Sequence, residues 1–148
     1  MKKKNSKRES KATTARSDCI NILIVDDNAR FVEAVMEYLA SFKQLRIIGS
    51  ATNGLEAIER TKKLLPHLIL MDIAMPHMNG LQATQAIKRL ASAPRIFILT
   101  MHESSEYEHA AKIAGADAFI HKGDFISLLL PMMQSYYPQH FCTKSASG

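Results

Sequence analysis

Three short runs, Ile22–Val25, Leu68–Met71 and Ile96–Leu99, are apolar at every position and never alternate with polar residues. A strand with one face in water alternates, so unbroken runs of this length point to strands covered on both faces. That means a parallel sheet with helices on each side. A weaker run, Arg46–Gly49, falls between the first two, and Ala118–Ile120 follows the third.

Helical patterns fill the gaps. Phe31, Val35, Tyr38, Leu39 and Phe42 recur at helical spacing and share one face. Asn53 followed by Glu56 resembles a capping box ahead of Leu55, Ile58 and Leu65, and Pro66 ends that segment. Asn79-Gly80 leads into a helix over Leu81–Leu90, and Glu106–Ala114 forms another, closed by Gly115. The last helix is expected to be irregular: Asp124 can cap Phe125–Leu130, but Pro131 should kink or stop it before Met132–Tyr137. Five strands alternating with five helices make a doubly wound α/β domain, a (βα)5 sandwich around a five-stranded parallel sheet.

A chain of 148 residues suits one such domain, and 47% hydrophobic residues supply its core. No stretch approaches the roughly 20 apolar residues of a membrane-spanning helix. The formal charge of +5 is concentrated at one end. Residues 1–18 hold seven basic side chains against Glu9 and Asp18, and contain no Leu, Ile, Val or Phe. They are expected to be a disordered basic tail, followed by a folded domain over 19–138 and a short polar tail over 139–148. The rest of the chain is formally neutral, so no specific DNA binding is expected from the domain. Cys19 and Cys142 form neither a CxxC motif nor a disulfide framework, which suits a reducing, cytoplasmic setting.

In an open parallel sheet, ligands bind beyond the carboxyl ends of the strands. Here the first strand ends in Asp26-Asp27, the third in Asp72 and the fourth in Thr100, while Lys122 closely follows the fifth. A single Asp at such a turn is a common helix cap. Four strand ends that together supply three carboxylates, a hydroxyl and an ammonium are much harder to obtain by chance. Clustered carboxylates repel unless a cation binds, and hard oxygen ligands favour Mg²⁺, which prefers to be shared with a phosphate. Lys122 suits a phosphoryl oxygen, Thr100 can donate to another, and Asp72 can serve as nucleophile to give an aspartyl phosphate.

Leu23–Asp27, Met71–Gly80, Leu99–His102 and Ala114–Lys122 together resemble the signature blocks of response-regulator receiver domains, with a flavodoxin-like or CheY-like fold. The resemblance covers about residues 20–137, and the Thr100-Met101-His102 triplet is most similar to receivers of LuxR-type regulators. It implies that Asp72 accepts a phosphoryl group from a sensor histidine kinase or a histidine phosphotransfer protein. It further implies that Asp27, Asp72 and the Ala74 carbonyl ligate Mg²⁺ directly, with Asp26 acting through bound water. Thr100 would move toward the phosphoryl group, Lys122 would pair with it, and Phe119 would stand at the family's aromatic switch.

Some positions depart from the common pattern. Phe119 has no hydroxyl, so a switch there works by packing. Met101 is expected to narrow the mouth of the site, and Gly123 replaces the usual Pro after the lysine.

Six histidines show no HxxxH or HExxH spacing, and there is no P-loop or GxGxxG motif, so a zinc site, an ATPase and a dinucleotide enzyme are unsupported. The leading expectation is a receiver that signals by phosphorylation-dependent contact with a downstream protein, with a phosphorylation-dependent homodimer as a further possibility. It is not expected to be an enzyme with its own external substrate. The alternative is a truncated LuxR-type transcriptional regulator lacking its helix-turn-helix output domain. A phosphatase of the haloacid-dehalogenase kind fits poorly, because the candidate nucleophile lies on the third strand and not the first.

Overall fold

The structure, a computed structural model, describes residues 19–102 and 104–141. Residues 1–18, expected to be disordered, lie outside the described residues, as do Glu103 and residues 142–148. The elements are β1 (Ile20–Val25), α1 (Ala29–Ala40), β2 (Leu45–Ala51), α2 (Gly54–Leu64), β3 (Leu68–Asp72), α3 (Gly80–Lys88), β4 (Arg95–Thr100), α4 (Ser105–Ala114), β5 (Ala118–His121) and α5 (Phe125–Tyr136). All pairings are parallel, and the strand order is β2-β1-β3-β4-β5. This is the doubly wound α/β architecture read from the strand runs.

Alternation along the strands divides the core into two layers. Ile20, Ile22 and Ile24 of β1 face one layer with Val35 and Leu39 of α1 and Phe125, Leu129 and Met133 of α5. Leu23 and Val25 face the other, with Ala57 of α2, Ala83 and Ile87 of α3, and Ala111 of α4. Leu68–Met71 and Ile96–Leu99 are fully or almost fully buried, which is why those runs carry no polar position.

The β1–β2 register slips between Ile22 and Leu23, where Ile22 pairs with Ile47 and Leu23 with Gly49. The slip leaves Ile48 as the extra residue of a bulge on the edge strand.

The caps of α2 and α3 differ from the sequence reading in two ways. Asn53 caps α2 through Glu56 N, but the Glu56 carboxylate reaches past the cap to Thr52, accepting from its N (2.7 Å) and Oγ1 (2.9 Å). The Thr52 amide holds the Glu56 carboxyl below the usual range. The reciprocal capping box is at Asn79 and Gln82, at the start of α3.

The last helix corrects the expectation of an interruption: α5 runs continuously through Pro131. Phe125, Leu129 and Met133 fall on one buried stripe, while Pro131 lies exposed on the opposite side. Proline costs a helix interior about 3 kcal/mol. Full burial of Leu129 and Met133 returns about 1.5–3 kcal/mol each, enough to carry the helix past it.

Asp124 does not cap α5 with its side chain, because it already lies in a 3₁₀ turn over Lys122–Asp124 and lacks an extended backbone. Beyond α5, Pro138–His140 form a second 3₁₀ turn, and Phe141 packs against the first core layer.

Candidate functional site

Strand order reverses between β1 and β3, and a crevice opens at their carboxyl ends. β1 delivers Asp26 and Asp27 to it, and β3 delivers Asp72. One carboxylate oxygen from each lies within 4.8 Å of the others. Asp26 and Asp72 are buried (3% and 7% exposed) while Asp27 is exposed, so the cluster has a closed floor and an open mouth.

Lys122 enters from the end of β5. Its Nζ lies 2.7 Å from Asp26 Oδ2 and 3.4 Å from Asp72 Oδ1, and its side chain is only 7% exposed. The ammonium also stands 4.3 Å from the centre of the Phe31 ring. A cation of this kind gains roughly 0.5–2 kcal/mol from the ring face. Thr100 is positioned by register: Asp72 pairs with Leu99 across β3–β4, and Thr100 pairs with His121 across β4–β5. That sets the threonine at the same sheet edge, between the strand of Asp72 and the strand leading to Lys122. Its Oγ1 accepts from His102 N at 3.1 Å, which leaves the hydroxyl hydrogen able to donate.

Local folding holds these groups in place. Asn28 caps α1, its Oδ1 accepting from Arg30 N and Phe31 N, while its own N donates to Asp26 Oδ1 at 2.9 Å. The N-terminus of α1 therefore opens onto the acidic cluster. Gly80 begins α3 hard against β3, where a Cβ would meet the Asp72 carbonyl oxygen at 1.9 Å, so only glycine fits. Gly80 N donates to Ile73 O at 2.8 Å, closing a loop that contains Ala74 and a tight turn about His77 at φ 69.

The electrostatics are unbalanced, with one ammonium facing three carboxylates. Burial, together with the neighbouring Asp26 charge, pushes the Asp72 carboxyl up to about 6 against the opposing pull of Lys122. Asp26 Oδ2 is a buried acceptor without a hydrogen-bond partner, because its contact with Lys122 is an ion pair lacking hydrogen-bond geometry. A hard divalent cation suits this donor set of carboxylate oxygens and would offset the excess negative charge.

The other singled-out residues divide. Phe119, on β5, pairs with Ile98 of β4, is half-buried against the second core layer, and lines a cavity of about 310 Å³ between α4 and α5 with Ala111, Met132 and Tyr136. Met101 does not pack inward; its side chain is 66% exposed. No cis peptide occurs among the described residues, in keeping with Gly123 where proline is usual.

Two contributors were not read from the sequence. Phe31 counted there as core, and its position over Lys122 arises from a contact between the two ends of the chain. His121 counted as one of six scattered histidines. Its Nδ1 accepts from Gly123 N at 3.1 Å, so its Nε2 carries the hydrogen and donates to Met101 O at 2.9 Å. His121 thereby ties the turn after Lys122 to the loop after Thr100. The capping role of Asn28 had a readable signal, an Asn just ahead of an apolar helical face.

Residues 22–130 match the family described as the response regulator receiver domain. A protein-glutamate methylesterase/protein-glutamine glutaminase of Idiomarina loihiensis is 39% identical over 104 residues, covering 70% of this chain and 27% of that protein. The chain thus spans under a third of the length of the curated relatives it matches. A LuxR-family two-component response regulator from Aurantimonas superposes with a TM-score of 0.75 at 25% identity, covering 80% of this chain and 84% of that one. The Borrelia burgdorferi CheX–CheY–BeF3–Mg complex contains a chain that superposes with a TM-score of 0.72 at 27% identity, covering 79% of this chain and 89% of that one.

Proposed function

The chain belongs to the response regulator receiver family, and on that premise we propose that Asp72 is its phospho-acceptor. The supporting observation is the placement of Lys122 Nζ against both Asp26 (2.7 Å) and Asp72 (3.4 Å), with Asp27 completing a carboxylate cluster. In the transfer, an Asp72 carboxylate oxygen attacks the phosphorus of a phosphohistidine in line. The nitrogen–phosphorus bond breaks, an acyl phosphate forms, and the donor imidazole leaves with the electron pair.

Asp72 must be ionised to attack, and a carboxyl poised at about 6 is largely ionised at neutral pH. Lys122 is close enough to turn from Asp72 toward a phosphoryl oxygen as charge builds there, and Thr100 donates its hydroxyl hydrogen to another. Asp26, Asp27, Asp72 and the Ala74 carbonyl would hold Mg²⁺, whose chemistry is to neutralise the phosphoryl oxygens during transfer. Phe119 acts by packing: the cavity beside it gives the ring room to respond to the state of Thr100 across β4 and β5.

On this reading the donor is a sensor histidine kinase or a histidine phosphotransfer protein, the setting is cytoplasmic, and the output is contact with a downstream protein or a second copy. The chain turns over no separate substrate. The test is intact mass after incubation with Mg²⁺ and acetyl phosphate. One phosphoryl adduct is expected, abolished by chelator and by Asp72→Asn. An adduct that persists in Asp72→Asn overturns the assignment.

A further inference from the structure

The neutral sum of charges over residues 19–148 conceals a separation. All strands run parallel and all helices return, so the helix C-termini and strand starts share the end opposite the acidic site. Lys62 and Lys63 close α2, Lys88 and Arg89 close α3, and Lys112 lies in the last turn of α4. Lys43, Arg46 and Arg95 stand in the loop before β2 and at the starts of β2 and β4. Among the described residues, the acidic ones in these last turns, loops and strand starts are Glu37 and Asp117.

Helix C-termini attract cations, which accounts for the lysines in the last turns but not for Lys43, Arg46 or Arg95. Lys88 and Arg95 are within ion-pair distance of Asp117; the other six basic groups have no such carboxylate among the described residues. Residues 1–18, which precede Cys19 in the chain, hold seven further basic side chains against two acidic ones.

Apolar surface sits within the charge. Leu65 follows Lys62 and Lys63 in a left-handed conformation (φ 51) and is 66% exposed, with Leu64 beside it at 38%. Glycine is the usual residue at such a helix end, and a branched side chain there costs roughly 1 kcal/mol. Leu65 lines an open groove of about 550 Å³ together with Lys88, Arg95, Asp117 and Tyr137.

We propose that this end of the molecule docks on an anionic lipid surface, with Leu65 entering between the headgroups and the basic groups meeting lipid phosphates. The cations spread from Arg46 on edge strand β2 to Lys112 beside β5, across a five-strand sheet about 19 Å wide. That breadth fits a surface better than a single phosphodiester strand, and a nucleic-acid backbone has no use for exposed leucines. Docked this way, the acidic site faces away from the membrane and stays open to protein partners.

The test is co-sedimentation of the full chain with vesicles of phosphatidylcholine, alone or with about a third phosphatidylglycerol. Sedimentation is expected with the anionic vesicles only, weakening as salt rises. Charge reversal by Lys62→Glu with Lys63→Glu should lower partitioning by about thirtyfold or more. Leu65→Asn, which suits the left-handed backbone, should lower it about threefold through the lost apolar contact. Uptake of the phosphoryl group from acetyl phosphate checks that each variant is folded.

Three results overturn the proposal: no preference for anionic vesicles, full partitioning by both variants (binding through residues 1–18 alone), or displacement by duplex DNA with Leu65→Asn indifferent, which would indicate a nucleic-acid surface.

Discussion

Lys122 and Lys88 stand at opposite ends of the sheet, and each meets a carboxylate at close range, but their surroundings differ. At the amino end, Lys88 Nζ donates to Asp117 Oδ2 (2.6 Å) and Pro94 O (2.8 Å), and the same Asp117 oxygen accepts from Ile96 N (2.8 Å). Arg95 adds a longer contact to Asp117 and lies 4.7 Å from the centre of the Tyr136 ring. That network ties α3, β4, α5 and the turn before β5 together, with the Asp117 carboxylate shared between two cations. At the carboxyl end, one lysine faces three carboxylates, and Asp72 holds its proton unusually well. The first arrangement contributes to stability. The second gives up stability to keep charge available for a ligand.

Substitutions at the two ends should therefore differ in size and in sign. The largest effect is expected from Gly80→Ala, which drives a Cβ into the Asp72 backbone and should cost more than about 3 kcal/mol in urea unfolding. The amino-end counterpart, Gly115→Ala, meets the flexible Lys88 side chain at 3.1 Å and φ 103, and should cost only about 1–2 kcal/mol. Equal losses would remove the contrast.

Asp72→Asn in metal-free protein should stabilise at neutral pH by up to about 3 kcal/mol, the ceiling set by the raised carboxyl. Asp117→Ala should instead destabilise by about 2 kcal/mol, since it leaves Lys88 and Ile96 N without their partner.

The pH dependence tests the same point. The folded Asp72 carboxyl sits at about 6, above its ordinary 3.8, so the folded state binds the proton more tightly. Its contribution to stability is greatest when protonated and is lost as pH rises from about 4 through about 6. The difference in urea midpoint between wild type and Asp72→Asn should widen over that interval and narrow again on adding Mg²⁺. A difference constant with pH would mean that Asp72 is not under this strain. The smallest effect is expected from Phe31→Leu, a loss of about 0.5–1 kcal/mol through the missing ring face over Lys122.

The parts of the fold and site that could be read from the sequence depended on neighbours along the chain. The strands, the capping residues Asn53 and Asn79, the Gly115 stop and the identities of Asp26, Asp27, Asp72, Thr100 and Lys122 all gave local signals. The continuity of α5 did not. Pro131 is a strong local breaker, and only the burial of Leu129 and Met133 against the sheet outweighs it.

By itself, the sequence determined the α/β class and the chemistry at each strand end, because unbroken apolar runs and their terminal residues are properties of short segments. It also held the family resemblance that the comparison with known proteins later established. Only the tertiary structure decided that Phe31 stands over Lys122, that His121 joins the two loops of the site, and that a domain of nearly balanced charge is acidic at one end and basic at the other. Those outcomes come from parallel pairing, which brings groups far apart in the chain to the same edge, and no local pattern encodes which distant groups will meet there.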